Sequence, residues 1–202
     1  MLLHDCILID CGVAYKAVQE LKSKIKLVLL THIHSDHFKK STIKRLHFER
    51  PGLRFGCGEW LLEPLLDCGI PKGCIDVYQM GRRYSYGSFR VSPVAVYHDV
   101  PNCGYRIFAG REKAIYITDT VTLDGITAPA YDLYLIEANY NEEEIKEKIR
   151  EKRSDGKYAY ELKAMERHLS ERQCNNWLYE NMGANSEYIY LHRHIERGQN
   201  HE

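Results

Sequence analysis

The stretch that most restricts this chain runs from residue 25 to residue 37, IKLVLLTHIHSDH. Residues 25–30 are a near-continuous apolar run, the pattern of a strand covered on both faces of its sheet. His32, His34, Asp36 and His37 follow at once. His32 and His34 stand two apart, so in an extended segment they share one side. Asp36 and His37 come where the strand must end. Imidazoles and a carboxylate at the mouth of a buried strand are costly unless they are coordinated or hydrogen-bonded. The segment can offer two imidazoles to one cation and a carboxylate plus an imidazole to a second. Mixed nitrogen and oxygen donors suit Zn²⁺ well and Mn²⁺ acceptably. The competing reading is a solvated polar loop.

The remaining chain supplies a frame of strands and helices. Ile7–Ile9 reads as the opening strand, ended by Asp10-Cys11-Gly12. Residues 14–24 read as a helix with Ala14, Val18 and Leu21 on one face. A helix capped by Ser41 follows, with Ile43 and Leu46 inward. Leu53–Cys57 reads as a strand, and Glu59–Asp67 as a helix kinked at Pro64 and stopped near Gly69. From 74 to 118 strand-like runs alternate with Gly, Pro and Asn turns, and Asp132–Glu137 is another strand. Glu142–Arg153 is a highly charged helix, residues 171–182 a second, and Glu187–Leu191 the last strand. These elements, with no repeat or linker, predict two packed sheets with helices outside and a single domain over 1–202.

The 28 basic and 28 acidic residues cancel, so no global charge draws the chain to nucleic acid or to an anionic membrane. No apolar run approaches the roughly 18–20 residues of a membrane span, and the first residues lack a signal-peptide pattern. Seven cysteines, an odd number with no CxxC pair, fit a reducing cytoplasm.

The His-x-His-x-Asp-His segment resembles the signature of the metallo-β-lactamase fold superfamily, and the likeness covers nearly the whole chain. It implies an α/β fold, a four-layered αββα sandwich of two mixed sheets flanked by helices, and a binuclear metal-dependent hydrolase. Within that resemblance His98, in "YHDVPNCGY", matches the third histidine of the first metal. Asp119, in "AIYITDT", matches the carboxylate that bridges both ions. The last ligand is expected after the final strand, where "IYLHRH" offers His192 and His194. Strand position favours His192, while His194 opens "HIERGQN", similar to the superfamily's terminal pattern. The implied cofactors are two divalent ions, Zn²⁺ or Mn²⁺, sharing a hydroxide that Asp36 also holds.

Two further segments resemble the phosphodiesterase branch. "IEANY", containing Glu137, is similar to the Glu-Ala-Thr loop of ribonuclease Z-like nucleases. "RHLSERQ" is similar to the "GHLSN" of WalJ/YycJ-type DNA exonucleases. Ser170 and Gln173 have capping-box spacing, and His168 stands just before that helix N-terminus, where backbone N–H groups favour an anion. His168 is thus the candidate proton donor, with Glu137 orienting its ring. The implied partner is a nucleic-acid substrate, DNA or RNA, with no membrane, and a homodimer is compatible. The alternative is an ester, thioester or lactone hydrolase on the same metals, and a third reading is a non-catalytic metal-stabilised binding protein. The residues 142–157 read either as a substrate-binding element or as a solvated helix face, and Arg82-Arg83 as a hairpin turn.

Overall fold

The computed structural model describes residues 1–3 and 6–193. The chain forms two compact units, one of Met1–Arg82 with Val100–Cys103, the other of Arg83–Asp99 with the chain from Gly104 onward.

In the first unit five strands line up in chain order: β1 (Leu2–Leu3), β2 (Ile7–Ile9), β3 (Leu27–Leu30), β4 (Arg54–Cys57) and β5 (Ile75–Val77). β1 is antiparallel to β2, and the others are parallel. Every residue of β3 is fully buried, as its unbroken apolar run requires. Helices α1 (Lys40–Glu49) and α2 (Leu62–Asp67) belong to this unit, and Ile43, Leu46 and Leu65 join Val28, Leu30 and Phe55 in one core.

Four expectations are corrected here. β1 adds a strand ahead of Ile7–Ile9; two residues are too few to leave a periodic signal. Residues 14–24 form a short 3-10 turn, Tyr15–Ala17, and further turns closed by i+3 bonds, not a helix. Of the expected face only Val18 is buried, and one anchor does not hold a helix against a core. Lys39, not Ser41, precedes α1, and no side chain caps it. The helix expected over Glu59–Asp67 splits into a 3-10 turn at Glu59–Leu61 and α2. Pro64 lies in the first turn of α2, where its missing N–H is no loss.

The second unit holds a mixed six-stranded sheet. Its strands are β6 (Tyr84–Tyr86), β7 (Phe89–Ala95), β8 (Cys103–Ala109), β9 (Glu112–Ile117), β10 (Leu133–Glu137) and β11 (Glu187–Leu191), in the order β11-β10-β9-β8-β7-β6. β9, β10 and β11 run parallel, with Ile136 opposite Ile117 and Glu137 opposite Leu191. Their C-terminal ends therefore meet at one edge. Helices α3 (Glu142–Ser154), α4 (Glu161–Arg167) and α5 (Glu171–Asn181) complete the unit. α5 starts on the Ser170–Gln173 capping box and buries Trp177 and Leu178. α4 escapes sequence reasoning because its one buried residue is charged, Glu161. Among the described residues no helix is long and apolar enough to cross a membrane.

Candidate functional site

In the first unit the pairing of Ile9 with Leu29 brings Asp10 and Thr31 off the sheet side by side. The Asp10 carboxylate accepts from Thr31 N at 2.9 Å and from Thr31 Oγ1 at 3.0 Å, and it faces His37 Nδ1 at 2.7 Å. Asp10 Oδ2 takes the Nδ1 proton, so His37 presents Nε2, 3.5 Å from Asp36 Oδ2. Thr31 Oγ1 gives its own proton to Asp10, so at 2.9 Å from His32 Nδ1 it acts as acceptor. His32 then also presents Nε2 as its lone-pair nitrogen. Buried partners of this kind fix tautomer and ring orientation at metal sites.

The segment is a turn and not an extended strand. His37 N and Phe38 N both donate to His34 O, at 2.9 and 2.7 Å. The turn gathers the rings: His32 lies 4.8 Å from His34 and 4.3 Å from His37 between centroids. Asp36 is exposed, and His32 and His37 are buried. Cys11 N bonds His37 O at 2.8 Å, which lays residues 10–12 along the turn. Gly12 is required there, because a Cβ would stand 1.5 Å from the Asp36 carbonyl oxygen.

In the second unit the aligned ends of β9, β10 and β11 assemble Asp119, Glu137 and His192. Glu137 is fully buried. Its Oε1 faces His168 Nδ1 at 2.7 Å and His192 Nδ1 at 3.1 Å, and its Oε2 accepts from Thr120 N at 2.8 Å. These contacts hold the two rings against the carboxylate. Asp119 differs. Thr118 Oγ1 donates to its Oδ2 at 2.7 Å. Its Oδ1 looks toward His192 Nδ1 at 3.4 Å, His168 Nδ1 at 3.7 Å and His98 Nε2 at 3.9 Å. Donor atoms of Asp119, Glu137, His168 and His192 lie within 4.8 Å of one another, a spacing that can hold a metal ion.

His98 supplies the sharpest chemical test. Its Nδ1 lies 3.2 Å from Arg167 O, which can only accept, so the proton sits on Nδ1. Nε2 then turns a lone pair toward Asp99 Oδ1 at 3.1 Å. That contact needs a proton or a cation. Burial holds the ring below the ordinary imidazole range, opposed by the Asp119 and Asp99 carboxylates. A protein that keeps this ring neutral beside carboxylates fits a bound divalent cation.

Backbone conformation marks the same residues. Among the described residues four non-glycines have positive φ: Asp10 at 58°, Asp119 at 53°, His192 at 52° and Ala130 at 50°. The first three belong to the two donor sets, where strained backbone commonly aims side chains. Asp10, Thr31 and Asp99 were missed in the sequence; the signal for Asp10 was an acid at the end of an apolar strand, as at Asp119. His194 lies outside the described residues.

The model of the Beta-lactamase superfamily domain matches residues 6–167. Comparison with curated proteins gives no match. Among solved structures, the metallo-beta-lactamase fold protein YhfI from Bacillus subtilis is 20% identical, with a TM-score of 0.69 over 96% of this chain and 77% of that one. Human tRNase Z, short form, is 12% identical, with a TM-score of 0.65 over 96% and 84%. Zn²⁺-bound PqqB from Methylobacterium extorquens is 15% identical, with a TM-score of 0.60 over 93% and 72%. All three share the fold of this chain.

Proposed function

This chain belongs to the β-lactamase superfamily, a superfamily of metal-dependent hydrolases, and we propose that it is a phosphodiesterase acting on nucleic acid, DNA or RNA. The observation that carries the reading is the buried Glu137–His168 pair at 2.7 Å beside Asp119. The fold it shares with human tRNase Z supports the substrate class.

His32, His34, His37 and Asp36 in one unit, and His98, Asp119 and His192 in the other, are the residues proposed to hold two divalent ions, Zn²⁺ or Mn²⁺. Such ions supply a water of lowered pKa and charge neutralisation on phosphoryl oxygens. The chain's own groups do the rest. Glu137 accepts a hydrogen bond from His168 Nδ1–H and so orients the ring; a second proton, carried on Nε2 of the imidazolium, is the one given to the leaving oxygen. Asp36, exposed on its turn, orients the attacking water. Asp10 and Thr31 keep His37 and His32 in the ligating tautomer. A cytoplasmic setting is part of this reading, supported by seven cysteines that include no CxxC pair.

The test offers purified protein with Zn²⁺ or Mn²⁺ to bis-p-nitrophenyl phosphate, single- and double-stranded DNA, RNA and a thioester. Phosphodiester cleavage that is abolished in His34→Ala and slowed in His168→Ala is the expected result. Turnover of the thioester alone would replace this reading with the acyl-hydrolase one.

A further inference from the structure

A cavity of about 750 Å³ opens in the second unit beside Asn139, whose amide donates to His192 O at 2.9 Å. It lies between α3 and α4, and the chemistry proposed above does not use it. Its size is that of a site for one small organic ligand.

The charged helix α3 looks uniform in sequence, yet the fold sorts its cations. Lys146, Arg150 and Arg153 are exposed, whereas Lys148 and Lys152, one turn apart, are half-buried and line the cavity. Two aromatic rings, Tyr140 and Tyr160, form further wall. The Lys152 ammonium lies 3.5 Å from the Tyr160 ring centroid and pairs with Glu161 Oε1. Glu161 is 6% exposed, and its other oxygen, Oε2, has no hydrogen-bond partner. A buried carboxylate oxygen left without a donor is rare in folded proteins and calls for an explanation.

We propose that this cavity binds one nucleotide unit of the nucleic-acid strand. The base lies against Tyr140 and Tyr160, as bases do on aromatic side chains in single-strand sites. Lys152 is the movable cover: the entering base displaces its ammonium from the Tyr160 face, and Glu161 Oε2 accepts an N–H of the base edge. Lys148 faces the adjoining phosphate, and Arg193, which pairs with Glu171 Oε1, stands on the same wall. The inference rests on the nuclease reading and adds to it the subsite that seats the strand next to the donor set.

Calorimetric titration of the metal-loaded full chain with AMP, GMP, CMP and UMP tests it, with adenosine and ribose 5-phosphate as the base-only and phosphate-only arms. At least one mononucleotide is expected to bind, and more tightly than either fragment. Tyr160→Ala should weaken that binding about tenfold, the scale of one lost stacking contact. Lys148→Glu should weaken the nucleotide but not the nucleoside. Tyr179→Ala, on the 91% exposed ring of α5, should change nothing. No nucleotide binding, or binding that survives Tyr160→Ala unchanged, overturns the proposal. Turnover of bis-p-nitrophenyl phosphate is scored separately. Turnover without nucleotide binding removes the subsite alone, and Tyr160-dependent binding without turnover removes the phosphodiesterase reading alone.

Discussion

Glu137 Oε1 stands 2.7 Å from His168 Nδ1, across 31 residues of chain, with the carboxylate fully buried. The pair holds the Nδ1 proton of His168 and fixes the orientation of its ring. His168→Ala should therefore lower kcat on bis-p-nitrophenyl phosphate by about 10²–10⁴-fold, the usual worth of a positioned general acid. Metal content measured by elemental analysis should stay that of the wild type. Equal loss of metal and rate would make His168 a ligand instead. Glu137→Gln should slow the same step by about 10–100-fold.

Asp10 acts on the other donor set. Asp10→Asn keeps a residue that tolerates its φ of 58° but removes the charge that orders Thr31 and His37. Metal affinity, read by competition with a chelator, should fall about 10–100-fold. Affinity equal to the wild type would show that Asp10 only packs.

Gly12 has no room for a side chain. Gly12→Ala drives a methyl group into the Asp36 carbonyl, which a Cβ would approach to 1.5 Å. The turn carrying His34, Asp36 and His37 must move. Both the melting temperature and the metal stoichiometry should drop, and a variant that bound metal normally would show that the turn is pliant.

His98 titrates with a definite sign. Burial holds its folded pKa below the 6.5 of a free imidazole, so near that pH the unfolded chain binds the extra proton. Stability of chelator-treated protein should therefore fall as pH drops below about 6.5, reaching a floor under the folded pKa. Metal occupancy should fall over the same window, because the ligating rings must be neutral. Melting curves and elemental analysis from about pH 7.5 to pH 5 check both; a flat metal content would contradict the imidazole ligands.

The thiols should be quiet. Burial pushes Cys57 and Cys174 up to about 12, and Cys11 higher still. Cys6 and Cys74 are half-exposed, and the other five are buried. Thiol-specific labelling near pH 8 should modify those two quickly and the rest only on unfolding. Fast labelling of a third thiol in the native protein would contradict the packing.

Much was determined by the sequence itself. The apolar run before His32 specified a fully buried strand, because a strand apolar on both faces must be covered on both. The spacing of His32, His34, Asp36 and His37 pointed to the ligand chemistry proposed above, because such groups are costly at a buried strand end unless satisfied. Ser170 and Gln173 specified the start of α5, since a capping box is local. What depends on distant chain was decided only by tertiary structure. The turn at 34–38, which gathers three rings, is laid against Cys11. The partner of His37 is Asp10, placed by a parallel register that periodicity does not encode, whereas the pairing of His168 with Glu137 is expected from the family resemblance. The cations of α3 differ in burial because Lys148 and Lys152 lie on the side of the cavity toward α4, whose one buried residue is Glu161, while Lys146, Arg150 and Arg153 face water. Local free energies read directly from residue order; pairings between remote segments depend on which strand ends the fold brings to the same edge.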